Sequence, residues 1–221
     1  MDKLKIKRLI KSARTELTML LVFVVFFVIM SFSAPSFGTT GNILNVLTQA
    51  SVVAVLAIGQ TFVILSGGID LSIGSIIAIS GMLGGMYMST TGNAFIGILI
   101  ILAVSLFIGV FNGFLVGYLK LPAFITTLGS MTIANSLTYV FSDGNSFSRF
   151  PDAIRNIGTA RVIGIRYYVI AILILYVIMS IVLARTKVGR YTYAIGSNKE
   201  AARLSGVDVQ LFTMICYAIR S

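Results

Sequence analysis

The chain has 221 residues, of which 57% are hydrophobic and 11% charged, with a net charge of +10. A soluble domain carries about 25% charged residues, so this composition and a mean hydropathy of +0.98 exclude an ordinary soluble enzyme. The positive charge sits before and between apolar runs, as in loops flanking membrane spans, which excludes nucleic acid as the reason for it.

The chain-order reading gives an all-α polytopic bundle of six spans and the start of a seventh. A basic segment, 1–16, precedes the first span at Leu17–Ser33. That run is long for a signal-peptide core and lacks a small-x-small cleavage site. The second span is Ile43–Leu65, the third Leu71–Met88, the fourth Phe95–Tyr118, the fifth Ala123–Phe141 and the sixth Tyr168–Ala184. Pro35 and Gly38, Gly67 and Gly68, Gly92 and Asn93, and Pro122 break the runs. The organisation expected is a cytoplasmic segment 1–16, a transmembrane domain 17–184, a cytoplasmic loop 185–208 and a further span beginning in 209–221.

Lys3, Lys5, Lys7, Arg8, Lys11, Arg14, Lys120, Arg185, Lys187, Arg190, Lys199 and Arg203 fall on one side of this topology, and Arg149, Arg155, Arg161 and Arg166 on the other. The larger group marks the cytoplasmic side and predicts an N-terminus facing it. Arg220 remains in the tail. The single cysteine, Cys216, excludes an internal disulfide framework, and its apolar setting reads as an inert buried thiol. His is absent, which removes the commonest metal ligand and general base; no catalytic or metal-binding residue is expected.

Three polar or small-residue features stand out. Gly109, Gly113 and Gly117 recur at spacing four on one face of the fourth span, and Gly81 and Gly85 repeat the spacing on the third. Such faces admit another helix backbone in lipid. Asn112 beside this face either lines a path or bonds a neighbouring helix. In the stretch from Gln60 to Ser75, Gly67-Gly68 breaks a helix, and Asp70 or Ser72 caps the next one. A carboxylate at bilayer centre costs about 2.5–3.5 kcal/mol on insertion scales, so Asp70 requires an interface, a polar cavity or a partner. It reads as a structural cap or as part of a gate or solute path. Third, Asn198 is an N-cap for a short helix through Glu200, Ala201, Ala202, Arg203 and Leu204, and Gly206 ends it.

Four stretches carry a family pattern in order: Gly59 to Ser75 (GQTFVILSGGIDLSIGS), Asn112 to Val116, Leu121 to Gly129 (LPAFITTLG), and Gly189-Arg190-Tyr191 with Gly196 to Gly206. With them the chain resembles the permease subunits of ribose/xylose/galactose-type ABC importers from about residue 42 to 208. It departs from that pattern at Asn135-Ser136, where an Arg-Gly pair is usual, and at Arg166 after Gly164-Ile165, where a proline is usual. The resemblance implies a permease that pairs with a second permease chain in a homodimer, with an ATP-binding cassette ATPase on its cytoplasmic side and an extracytoplasmic sugar-binding protein outside. ATP and Mg are expected on the ATPase, with no cofactor on this chain. By the same resemblance Gly189, Arg190, Asn198, Glu200, Ala201, Ala202 and Gly206 form the ATPase coupling loop, and the loop Ser142–Arg166 faces the binding protein. Gln60, Asp70, Ser72 and Asn112 are the candidates for a translocation path or gate. Members of the family continue through several more spans, so the chain is expected to be C-terminally truncated.

The leading expectation is a non-enzymatic permease subunit, in the inner or plasma membrane, importing a monosaccharide or similar small polyol by alternating access. The chain has no Walker-type Gly-rich loop, so hydrolysis belongs to a partner. The alternatives are an ion-coupled secondary transporter using Asp70 as its ion or proton site, and a non-functional permease fragment.

Overall fold

The computed structural model describes residues 14–145, 150–162 and 164–221. Most of the basic segment 1–16, and Arg149 of the outer group, lie outside the described residues. Among these residues there are ten helices and one short hairpin: α1 (Arg14–Ser33), α2 (Thr40–Leu65), α3 (Ile73–Thr91), α4 (Ala94–Gly117), α5 (Ala123–Ser142), α6 (Asp152–Thr159), β1 (Arg161–Val162), β2 (Ile165–Arg166), α7 (Tyr167–Arg185), α8 (Lys187–Ser197), α9 (Lys199–Leu204) and α10 (Val209–Arg220). This is the all-α membrane bundle expected. The first five expected spans and the sixth coincide with α1–α5 and α7 to within a few residues at each end.

Four helices, α2, α3, α4 and α7, are long and apolar enough to cross a membrane by length and composition. The apolar part of α1, Leu17–Ser33, and all of α10 are shorter apolar helices. The polar side chains of α5, among them Thr126, Thr127, Ser130, Asn135 and Ser136, make it the least apolar of the long helices. Two of them, Thr127 and Ser130, bond inward, as described below.

The described chain forms two compact units, 1–50 and 51–221. In the first, α1 ends in a turn that Asn42 closes by donating from Nδ2 to the Phe37 carbonyl at 2.8 Å, while the Phe27 and Phe37 rings pack with centroids 5.3 Å apart. In the second, α4 packs against α3 and α10, and α3 also packs against α5. Polarity is inverted relative to a soluble protein. The buried positions include Ser66, Asp70, Ser72, Ser75, Ser80, Asn112, Thr127, Thr192 and Arg220, whereas Leu, Ile, Val and Phe dominate the exposed surface. With lipid as solvent, outward apolar groups carry no penalty, and polar groups must find partners inside.

Close helix approach is made by glycine. A Cβ on Gly113 would stand 2.7 Å from Met214 Cα, one on Gly117 2.7 Å from the Gln210 carbonyl oxygen, and one on Gly109 2.8 Å from the Tyr217 oxygen. The glycine face of α4 is therefore the bed of α10, which runs antiparallel along it. On α3 the expected face shifts. Gly81 has nothing within 4 Å, and Gly85 faces the Phe150 ring at 3.2 Å. The approach of α3 to α4 is made instead by Gly84, against Ile101 and the Gly97 carbonyl. Spacing alone gives i, i+4 pairs; which of two adjacent faces is used depends on the partner helix, here Ile101 of α4 against Gly84, while Met88 of α3 packs in turn on Gly97.

The described part of the connection from α5 to α7 is not a bare loop. It holds α6 and the β1–β2 pair, in which Arg161 is opposite Arg166 and Val162 opposite Ile165. Arg166 donates to the Gly158 carbonyl at 3.0 Å, tying the hairpin back to α6.

Candidate functional site

Helix α2 ends in a Schellman motif. Gly68 N–H donates to the Val63 carbonyl and Gly67 N–H to the Ile64 carbonyl, both at 2.9 Å. Gly67 takes φ +80°, a conformation that L side chains rarely adopt. Gly68 is needed for space, since a Cβ there would meet Tyr217 Oη at 2.9 Å. Four further residues, 69–72, run to α3, and side chains from α2, α4, α5 and α10 bond to their polar groups. From α2, Gln60 Nε2 donates to the Asp70 carbonyl at 3.1 Å. From α5, Thr127 Oγ1 accepts from Leu71 N–H at 3.2 Å.

Asp70 has the partner its position demands. Its Oδ1 accepts from Ser72 N–H and Ser72 Oγ, each at 2.8 Å, and from Arg220 Nη2 of α10 at 2.5 Å. Both charged side chains are fully buried. Ser72 Oγ also accepts from Arg220 Nη2 and from Asn112 Nδ2, each at 3.0 Å. A hydroxyl has one donor and two acceptor positions, so this one is saturated. Asn112 Oδ1 in turn accepts from Ser130 Oγ of α5. Neither Asp70 nor Ser72 caps α3 as the sequence suggests. Ser72 occupies the N-cap position without a side-chain cap bond, because its hydroxyl is committed to Asp70.

Gln60, Asp70, Ser72 and Asn112 are thus joined in one hydrogen-bonded chain. The sequence did not pair Arg220 with Asp70, nor add Thr127 and Ser130. One signal was available for Arg220: it is a lone cation at the end of the apolar run that starts at Leu211, and a buried carboxylate calls for a cation. The network is not fully satisfied. Asp70 Oδ2, Arg220 Nε and Nη1, Gln60 Oε1 and Tyr217 Oη are buried with no hydrogen-bond partner among the described residues.

The segment 186–208 holds two helices, α8 and α9, where the sequence suggested one short helix in a loop. Thr186 caps α8, its Oγ1 accepting from Gly189 N–H at 3.4 Å. Two glycines and several β-branched or aromatic residues give α8 weak intrinsic propensity, so its packing decides. Thr192 and Ile195 are buried, Thr192 Oγ1 lies 3.4 Å from Cys216 Sγ of α10, and Tyr191 meets Phe212 of α10 edge-on with centroids 4.7 Å apart. A Cβ on Gly196 would collide with the Leu65 carbonyl at the end of α2. Asn198 caps α9 as expected, Oδ1 accepting from Ala201 N–H at 3.0 Å. Gly206, at φ +83°, closes α9 with a second Schellman motif, Val207 N–H donating to the Ala202 carbonyl at 3.1 Å.

Of the residues expected in the coupling loop, Gly189 and Ala202 are buried, and Arg190, Asn198, Glu200, Ala201 and Gly206 are exposed. Glu200 pairs with Arg203 at 2.9 Å on the surface. A cavity of about 880 Å3 reaches from this segment to the α2–α3 break, with Lys199, Glu200 and Arg203 among its lining on one side and Gly68, Tyr217 and Lys120 on the other. Among the described residues no cluster of His, Cys, Asp and Glu could hold a metal ion.

Comparison with known proteins agrees with the resemblance. Residues 42–221 match the family profile described as branched-chain amino acid transport system / permease component. The ribose import permease protein RbsC of Haemophilus influenzae is 36% identical over 200 residues, covering 89% of this chain and 62% of that protein. The ribose import permease protein RbsC of Escherichia coli is 34% identical over 213 residues, covering 95% of this chain and 66% of that protein. The D-allose transport system permease protein AlsC of Escherichia coli is 38% identical over 190 residues, covering 86% and 58%. The chain spans less than two thirds of the length of these relatives. No solved structure matches it.

Proposed function

The chain belongs to the family of branched-chain amino acid transport system permease components, and from that premise we propose that it is the transmembrane permease subunit of an ATP-driven importer of a monosaccharide or similar small polyol. The observation that carries this reading is the similarity to a ribose import permease over 89% of the chain and to a D-allose transport system permease over 86%. It acts without chemistry of its own. An ATPase partner docks on α8 and α9, which face the cytoplasm together with the N-terminus, and a sugar-binding protein delivers solute to the α5–α7 connection. A second permease chain completes the path. Hydrolysis at the ATPase moves α8–α9, and the bundle re-opens to one side and then the other. The ion pair of Asp70 with Arg220 disfavours an ion-coupled mechanism, because the one buried carboxylate of the break is already neutralised by a cation.

The test is uptake of labelled ribose, allose and arabinose by the reconstituted importer carrying Glu200→Ala. The Glu200–Arg203 pair is exposed and contributes at most about 1 kcal/mol, so the fold is retained. Uptake falls while the partner ATPase still hydrolyses ATP. Normal uptake by this variant would remove the coupling role of α9. Uptake that depends on membrane potential and not on ATP would overturn the importer reading itself.

A further inference from the structure

Helix α10 is attached at both ends to parts of the molecule that the proposed cycle must connect. At its start, Asp208 Oδ1 accepts from Leu211 N–H at 3.0 Å, four residues after α9. Along its length Phe212 and Cys216 pack on Tyr191 and Thr192 of α8. At its far end, about 17 Å away at 1.5 Å per residue, Arg220 enters the polar break between α2 and α3. A Cβ on Gly59 of α2 would stand 3.0 Å from Arg220 Cα. On its other side the glycine face of α4 holds α10 without bulky side chains to key its position.

We propose that the Asp70–Arg220 ion pair is the transmission contact by which movement of α8–α9 is carried along α10 to the α2–α3 break. This rests on the importer reading. Two features distinguish it from a purely structural bond. A buried pair is weak evidence for stability, since an apolar pair of similar volume often serves as well. And the pair is made with groups to spare: Asp70 Oδ2 and Arg220 Nε and Nη1 are buried and unused. When α10 shifts, the guanidinium can pass from Oδ1 to Oδ2, or offer a different N–H, with neither charge left alone. Ser72 and Asn112 then relay the shift to α4, and Ser130 to α5. Asp70 and Arg220 are thus positioning residues for transport and need not touch the solute.

The experiment compares three variants in the importer reconstituted with its ATPase and binding protein: Asp70→Asn, Arg220→Met, and the two together. Each single variant strands a buried charge and weakens the protein. The double variant removes both charges and melts near the wild-type temperature. Its uptake stays down about tenfold or more, within the range of coupling between distant sites, and its ATPase no longer responds to loaded binding protein. Wild-type uptake by the double variant would overturn the proposal and leave the pair a structural one. A second readout needs no substitution. Cys216 is the only cysteine and lies buried where α10 packs on α8, so its alkylation rate in the native complex reports whether the two helices part. Transmission requires them to move together, so the rate stays the same on adding ATP; a faster rate, with α8 leaving α10 behind, overturns the proposal. Absence of ATP-dependent uptake by the wild-type complex removes the importer reading instead, an outcome distinct from either.

Discussion

Gly113→Ala tests whether α10 is seated by backbone contact. The added Cβ would stand 2.7 Å from Met214 Cα and 2.9 Å from the Met214 oxygen. Carbon pairs prefer about 3.5–4.0 Å, so the shortfall is about 1 Å. The obstructing atoms are backbone and cannot rotate away; the helices must part, which also disturbs the contacts at Gly109 and Gly117. Overpacking costs about 1–3 kcal/mol, against a gain of up to about 1 kcal/mol from replacing glycine by alanine within a helix. A net loss of about 1 kcal/mol lowers the melting temperature by about 2–4 °C for a chain of this size. Gly81→Ala is the control. Nothing lies within 4 Å of its Cβ position, so only the propensity gain remains. Thermal unfolding in detergent, followed by helical circular dichroism, compares the two. Equal melting temperatures, or a more stable Gly113→Ala, would refute the packing argument.

Two further substitutions probe the polar sites. Ser72→Ala deprives Arg220 Nη2 and Asn112 Nδ2 of an acceptor and Asp70 of a donor, which destabilises the chain by about 1–3 kcal/mol; Ser80→Ala, whose hydroxyl returns only to its own helix at Ile76 and Ile77, shifts the melting point little. Asn198→Ala removes the cap of α9 at a cost of about 1 kcal/mol. That corresponds to roughly fivefold faster hydrogen exchange at the Ala201 amide, measured by mass spectrometry, with the amides of α4 unchanged as the internal reference.

The spans were legible because lipid imposes long apolar runs, and glycine, proline and asparagine interrupt them where the chain turns. The caps at Asn198 and Gly206 were legible too, since both depend on local chemistry. What could not be read depends on distance in sequence. Arg220 lies 150 residues from Asp70, and only the packing of α10 on α4 brings them together. Helix α8 was missed because its glycines speak against helix, and burial of Thr192 and Ile195 outweighs that. The glycine pair on α3 was read one residue off its contact face, because spacing defines a family of faces and the partner selects one.

Helix α7 has a single buried residue, Val169, in nineteen. Within this chain its side chains answer to almost nothing except the demand for hydrophobicity. Its sequence is accordingly free to drift among Leu, Ile, Val and Phe without loss of the fold, and it is the place to introduce a spectroscopic label. A reporter on its middle turns would sense the surrounding lipid or a neighbouring chain and leave the polar break undisturbed.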